Sequence, residues 1–182
     1  TLIGQKKREE ISGMLHTVIT FGLILGVVLM GIGLLTARVV LELSGTPESV
    51  MNEALLYIRI YFLSIPFMTI YNFGAAALRS FGDSRRPMYY LFISGIVNVI
   101  LNLVLVICVH LGVAGVGIAT TLAQLVSAIL VMHELMHTDK EYKVYISKIR
   151  FSKPILSRII SIGIPAALQN SIVSFSNVIV QS

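Results

Sequence analysis

The sequence holds 182 residues, 55% of them hydrophobic and only 13% charged, with a formal net charge of +5. An ordinary soluble domain carries about 25% charged residues, so this composition excludes a water-soluble fold, whose surface it is unable to cover. The basic excess does not point to nucleic acid, because the basic residues stand in short blocks between apolar stretches, the pattern that orients membrane segments.

Charge-free runs cover residues 11–37, 60–78, 87–133 and 159–182. A bilayer core is crossed by about 20 apolar residues rising about 1.5 Å each, and the third run is long enough for two crossings. The expected fold is therefore an all-α polytopic transmembrane helical bundle with five crossings. The chain does not begin with Met, and its last residues run out inside an apolar segment, so it reads as a piece of a longer protein.

In chain order, Lys6, Lys7 and Arg8 precede a first span at about 12–38. A connection holding Glu42, Glu48 and Glu53 follows, in which Thr46 can cap and Pro47 can open the second span, at about 54–78. Arg59, one turn inside that span, is expected to snorkel outward, and Pro66 to bend the helix. Arg79, Arg85 and Arg86 flank a break at Gly82-Asp83-Ser84, and Pro87 opens a third span at about 87–110. Cys108, the single cysteine, has no disulfide partner and reads as a small buried hydrophobe.

An uncharged turn, His110-Leu111-Gly112-Val113-Ala114-Gly115, leads to a fourth span at about 114–136. Residues 138–153 form a polar connector carrying Lys140, Lys143, Lys148, Arg150 and Lys153. Residues 154–182 then read as an interfacial helix followed by the start of a fifth span near Ile164. Every basic residue but Arg38 and Arg59 falls on one side of this topology, which the positive-inside rule makes cytoplasmic.

His133-Glu134-Leu135-Met136-His137 matches H-E-x-x-H, which on a helix puts two imidazoles on one face beside a carboxylate. A catalytic zinc needs a third protein ligand, and only Asp139 and Glu141 follow nearby, so the residues read as polar groups at the water interface and no metal is expected. His16 and His110 read likewise as interfacial histidines.

Polar groups inside the spans are costly in hydrocarbon unless they meet another helix or a water-filled cavity. They are Asn72, Asn98, Asn102, Thr120, Thr121, Gln124, Gln169 and Asn170, of which Asn98 and Asn102 share one helix face. They serve either interhelical bonding or a substrate and ion path. Tyr57, Tyr61 and Tyr71 fit either an interfacial belt or such a cavity. No phosphate loop, nucleophile elbow or metal-binding cysteine pair is present, and the chain is not expected to be an enzyme.

Ala77-Leu78-Arg79-Ser80-Phe81-Gly82-Asp83-Ser84-Arg85-Arg86-Pro87-Met88 resembles the cytoplasmic turn R-(G/S)-x-G-D-(T/S)-x-x-P between the fourth and fifth helices of multidrug and toxic compound extrusion (MATE) exporters. Ile3-Gly4-Gln5 with the basic run resembles the end of the family's second helix, Gly112-Val113-Ala114-Gly115 with Ala119-Thr120 its fifth-to-sixth turn and sixth helix, and Gly163-Ile164-Pro165-Ala166-Ala167-Leu168-Gln169 the start of its seventh helix. The resemblance spans essentially the whole chain and places it as helices three to seven: residues 1–137 in the N-lobe, 138–153 joining the lobes, and 154–182 opening the C-lobe.

That resemblance implies a multi-pass plasma-membrane antiporter, monomeric when complete. It would export cationic or amphipathic drugs against sodium ions or protons, with no cofactor beyond the coupling cation. It places Tyr57, Asn72, Asn98, Asn102 and Thr120 along the N-lobe cavity, with Gln124, Gln169 and Asn170 as further cavity residues. Arg79, Gly82, Asp83 and Pro87 form the cytoplasmic motif. Asn102 stands where archaeal-type members carry an aspartate, and Val173 near where a sodium-coupled bacterial subgroup carries a glutamate. The rivals are a lipid-linked saccharide flippase of the same superfamily, a membrane zinc protease on His133 and His137, and a passive membrane subunit.

Overall fold

A computed structural model of the chain describes residues 2–137 and, beyond them, Val144, Ser157, Ile160, Ser161 and Pro165; side chains are described from Ile11 onward. The connector at 138–153, the interfacial helix and fifth span in 154–182, Gln169 and Asn170 therefore lie outside the described residues, Val144 and four scattered positions apart. The described part is helical: α1 (Leu2–Leu43), α2 (Glu48–Ser80), α3 (Arg85–Asn102) with a π-helical continuation over Leu103–Cys108, and α4 (Gly112–His137). Among the described residues, four helices are long and apolar enough to cross a membrane, over Ile11–Leu43, Glu48–Ser80, Arg85–Cys108 and Gly112–His137.

α1 has 42 residues. At about 1.5 Å per residue it is roughly 63 Å long, twice a bilayer core. It starts ten residues before the expected span because Gln5 to Glu10 are strong helix formers that continue the helix outside the apolar run. Its end is set by Gly45 at φ +71, with Thr46 N–H donating to Leu41 O (3.1 Å) and Gly45 N–H to Glu42 O (3.1 Å). That is a Schellman motif, which satisfies the last carbonyls of the helix and favours glycine in the left-handed position.

Thr46 therefore serves the end of α1, and no side chain caps α2. Pro47 holds the cap position in extended backbone (φ −60, ψ 143) and Glu48 opens the helix, favourably placed for the macrodipole. α2 runs through Pro66 without interruption, and Ser64 Oγ donates to Tyr61 O at 2.6 Å one turn away.

α2 is the central helix, packing on α1 and on α4, while α3 packs mainly on α4. Small residues allow these approaches. A Cβ built on Gly26 of α1 would lie 2.7 Å from the Pro66 Cα, and one on Gly117 of α4 3.0 Å from Ile60. The core lies toward the end carrying the α2–α3 turn, where Leu15, Ile19, Tyr71, Ala75, Leu78, Val131, Leu135 and Val144 cluster. Val144 N–H donates to Leu135 O at 2.7 Å, so the chain beyond α4 returns to that core.

Three local expectations change. His16 is buried at 2% exposure, its Nδ1 close to Ser12 O, because α1 continues outward past it and places it against the core instead of at an interface. Cys108 is exposed, on the π-helical segment at the far end of α3. The turn after α3 is short, His110 itself taking a left-handed φ of 57 before α4 begins at Gly112.

Candidate functional site

The turn between α2 and α3 shows what each residue of its motif does. Gly82 takes φ +84, Asp83 N–H donates to Leu78 O (3.0 Å) and Gly82 N–H to Arg79 O (3.0 Å), a second Schellman ending. The Asp83 carboxylate then accepts from Arg86 N–H at 3.2 Å, the three-residue reach of an N-cap, and its negative charge suits a helix N-terminus. Pro87 falls in the first turn of α3, where its missing N–H leaves no bond unmade, and its carbonyl accepts the Tyr71 hydroxyl at 2.8 Å. Arg79 sits in the last turn of α2, where a cation complements the macrodipole.

Arg86 ties this turn to the end of α4. Its Nε lies 3.3 Å from the second Asp83 oxygen, and its Nη1 pairs with Glu134 Oε1. Tyr90 Oη donates to the other Glu134 oxygen at 3.3 Å. Glu134 thereby joins α3 to α4, a role that sequence reasoning missed; Arg86 stands 48 residues away, and no local pattern links the two.

Toward the other end, Asn102 Nδ2 donates to Asn98 Oδ1 (3.0 Å), Asn98 Nδ2 to Thr120 Oγ1 (3.5 Å), and Thr120 Oγ1 to Val116 O (3.0 Å). The donors all run one way, and the chain leaves Asn102 Oδ1 buried with no partner among the described residues. Such an acceptor has a cost unless water or a cation meets it. Beside the chain, Thr121 Oγ1 donates to Ile60 O of α2 at 3.1 Å, fixing α4 against α2.

Tyr57 lies 3.6 Å from the Cβ position of Gly117, about one turn along α4 from Thr120, and its ring stacks on Tyr61 at 6.2 Å. Gln124, one turn beyond Thr120 on the same face, is half-buried, and only its backbone carbonyl takes part in a described bond, accepting from Ser127 Oγ (2.9 Å). The structure thus gathers Asn98, Asn102 and Thr120, with Tyr57 and Gln124 near. Asn72 shares no described bond with them: it is exposed on α2, whose neighbouring buried positions are Tyr71, Gly74, Ala75 and Leu78. Hydropathy carries no signal for which face an asparagine takes.

Residues 1–104 match the MatE family model. The chain belongs to the MatE family. Among curated relatives of this MatE chain, the "Probable multidrug resistance protein YoeA" of Bacillus subtilis (strain 168) is 32% identical over 189 residues, covering 98% of the chain. "Probable multidrug resistance protein YpnP" of the same organism is 30% identical, covering 96%. The chain spans 40% of the length of each. The solved structure of MATE in the bent conformation superposes with a TM-score of 0.83 at 23% identity, over 92% of this chain and 38% of that one. An inward-facing multidrug resistance MATE family transporter gives 0.81 at 23% identity, over 91% and 38%. The fold is that of these transporters, and the MatE chain is a multi-pass membrane protein.

Proposed function

We propose that this MatE chain is the N-lobe part of a secondary active multidrug exporter of the cell membrane, an antiporter moving cationic or amphipathic compounds outward in exchange for sodium ions or protons. Alternating access of two lobes about a midplane cavity is the mechanism that such a fold serves. The observation that carries the reading is the Asn102–Asn98–Thr120 chain within two membrane-spanning helices, ending on a buried acceptor that nothing described satisfies. A set of bonds serving only to glue helices together would leave no such acceptor open.

The chemistry limits what this cluster does. An amide does not titrate, so Asn102 carries no proton; its oxygen and that of Asn98 are neutral, hard ligands suited to a metal cation or to water. Proton coupling, where it drives transport, needs a titratable group other than Asn98 and Asn102. The protease alternative loses its general base, because Glu134 is engaged by Arg86 and Tyr90. Among the described residues no group of three metal-binding side chains forms.

The test uses the full-length protein. Asn98→Ala with Asn102→Ala is expected to weaken drug resistance in an exporter-deficient host several-fold while membrane levels stay normal. Unchanged resistance reduces the cluster to a packing role. Export from inverted vesicles, driven in turn by a sodium gradient and a proton gradient, assigns the ion.

A further inference from the structure

His133 and His137 lie four residues apart in the last turns of α4, both exposed and on one helix face, their rings stacked with centroids 4.2 Å apart and planes at 20°. His137 Nδ1 lies 3.0 Å from His133 O. A carbonyl accepts only from N–H, so Nδ1 of His137 is the donor in this contact and Nε2 is the ring nitrogen left to act as a ligand. Metal-binding histidines are oriented by a bond of this kind from the other ring nitrogen to a carbonyl. The stacked rings hold their in-plane nitrogen lone pairs nearly parallel, so binding one ion requires the two exposed rings to turn toward each other about their side-chain torsions. The site also lies at a helix C-terminus, where the backbone dipoles favour a cation.

We propose that His133 and His137 form a two-imidazole site for a divalent transition-metal ion, binding Cu(II) more tightly than Zn(II). Imidazole suits both ions, and that order is the general one for nitrogen ligands. Glu134 is not a ligand, since both of its oxygens are turned to Arg86 and Tyr90. No third histidine, cysteine or carboxylate joins the pair among the described residues, so the proposal rests on the two imidazoles alone. The inference is independent of the transport reading.

The experiment titrates the full-length protein, purified on a tag free of histidine, with Cu(II) and separately with Zn(II) by calorimetry. Bound metal is counted after dialysis, with the His133→Ala/His137→Ala double variant run in parallel. One Cu(II) per chain is expected in excess of the double variant, bound more tightly than Zn(II). His137→Ala alone is expected to weaken binding by at least about tenfold, and Glu134→Gln to leave it unchanged. Equal binding by the wild type and the double variant overturns the site, and so does loss of binding in Glu134→Gln, which would make the carboxylate a ligand. Both histidines are exposed, so the melting temperature of the double variant is expected to match the wild type and to show that lost binding is not lost folding.

Discussion

The two ends of the bundle are built differently. At the end bearing the α2–α3 turn, polar side chains are matched to partners. Asp83 caps α3, Glu134 holds Arg86 and Tyr90, and Tyr71 reaches the Pro87 carbonyl across a core of fully buried Leu78, Val131 and Leu135. Toward the other end, the Asn98–Thr120 bond is long, Asn102 Oδ1 lacks a partner among the described residues, and α3 unwinds into a π segment followed by a left-handed histidine. One end is over-determined and acts as an anchor. The other keeps unused bonding capacity, which suits the cavity of the proposed exporter.

Substitutions at the anchor should therefore cost stability, and those in the open half should alter function or cost little. The largest loss is expected for Leu135→Ala, which empties a site at 0% exposure in the core. It should lower stability by about 2–5 kcal/mol, read as thermal melting of the detergent-solubilised full-length protein. A smaller drop would mean that the core collapses around the gap and anchors less than its burial suggests.

Gly26→Ala comes next. The added Cβ would meet the Pro66 backbone, which has no rotamer to move, and a cost of about 1–3 kcal/mol is expected from overpacking the α1–α2 contact. Gly31→Ala, on the same helix with open space around its Cβ position, is the control and should be neutral or slightly stabilising.

Glu134→Gln should cost about 1 kcal/mol. The side chains of the Arg86–Glu134 pair are 43% and 20% exposed, so water screens part of the attraction, and the amide keeps a bond to Tyr90. Melting in low and high salt separates the two contributions: the difference between wild type and variant should shrink as salt rises. An unchanged difference would assign the effect to the Tyr90 bond, which weakens when its acceptor changes from a carboxylate to a neutral amide.

Much of the bundle was legible because a membrane span is a length-and-composition signal, and runs such as 87–133 leave few alternatives. The pairing of Asn98 with Asn102 followed from helical spacing alone. What was hidden depends on which helices meet: Thr120 as the partner of Asn98 and Arg86 as the partner of Glu134 both follow from packing that no single helix encodes. The start of α1 was hidden for another reason. Gln5 to Glu10 in its first turns are polar, and helix propensity without apolar periodicity is invisible to a search for spans.

The smallest expected effect lies at the open end. His110 holds φ 57 after the π segment, a region that suits glycine and costs other residues roughly 1 kcal/mol or more. His110→Gly removes that cost but gives the unfolded chain more freedom, so a net gain of about 0.5 kcal/mol is expected, again read by thermal melting. The gain would show that the α3–α4 turn is held in its conformation by the helices on either side and not by the residue within it. A loss would mean that the imidazole makes a favourable contact in the full-length protein. The open end would then be fastened there as the anchor is, and the freedom between the two ends would narrow to the Asn98–Asn102–Thr120 chain.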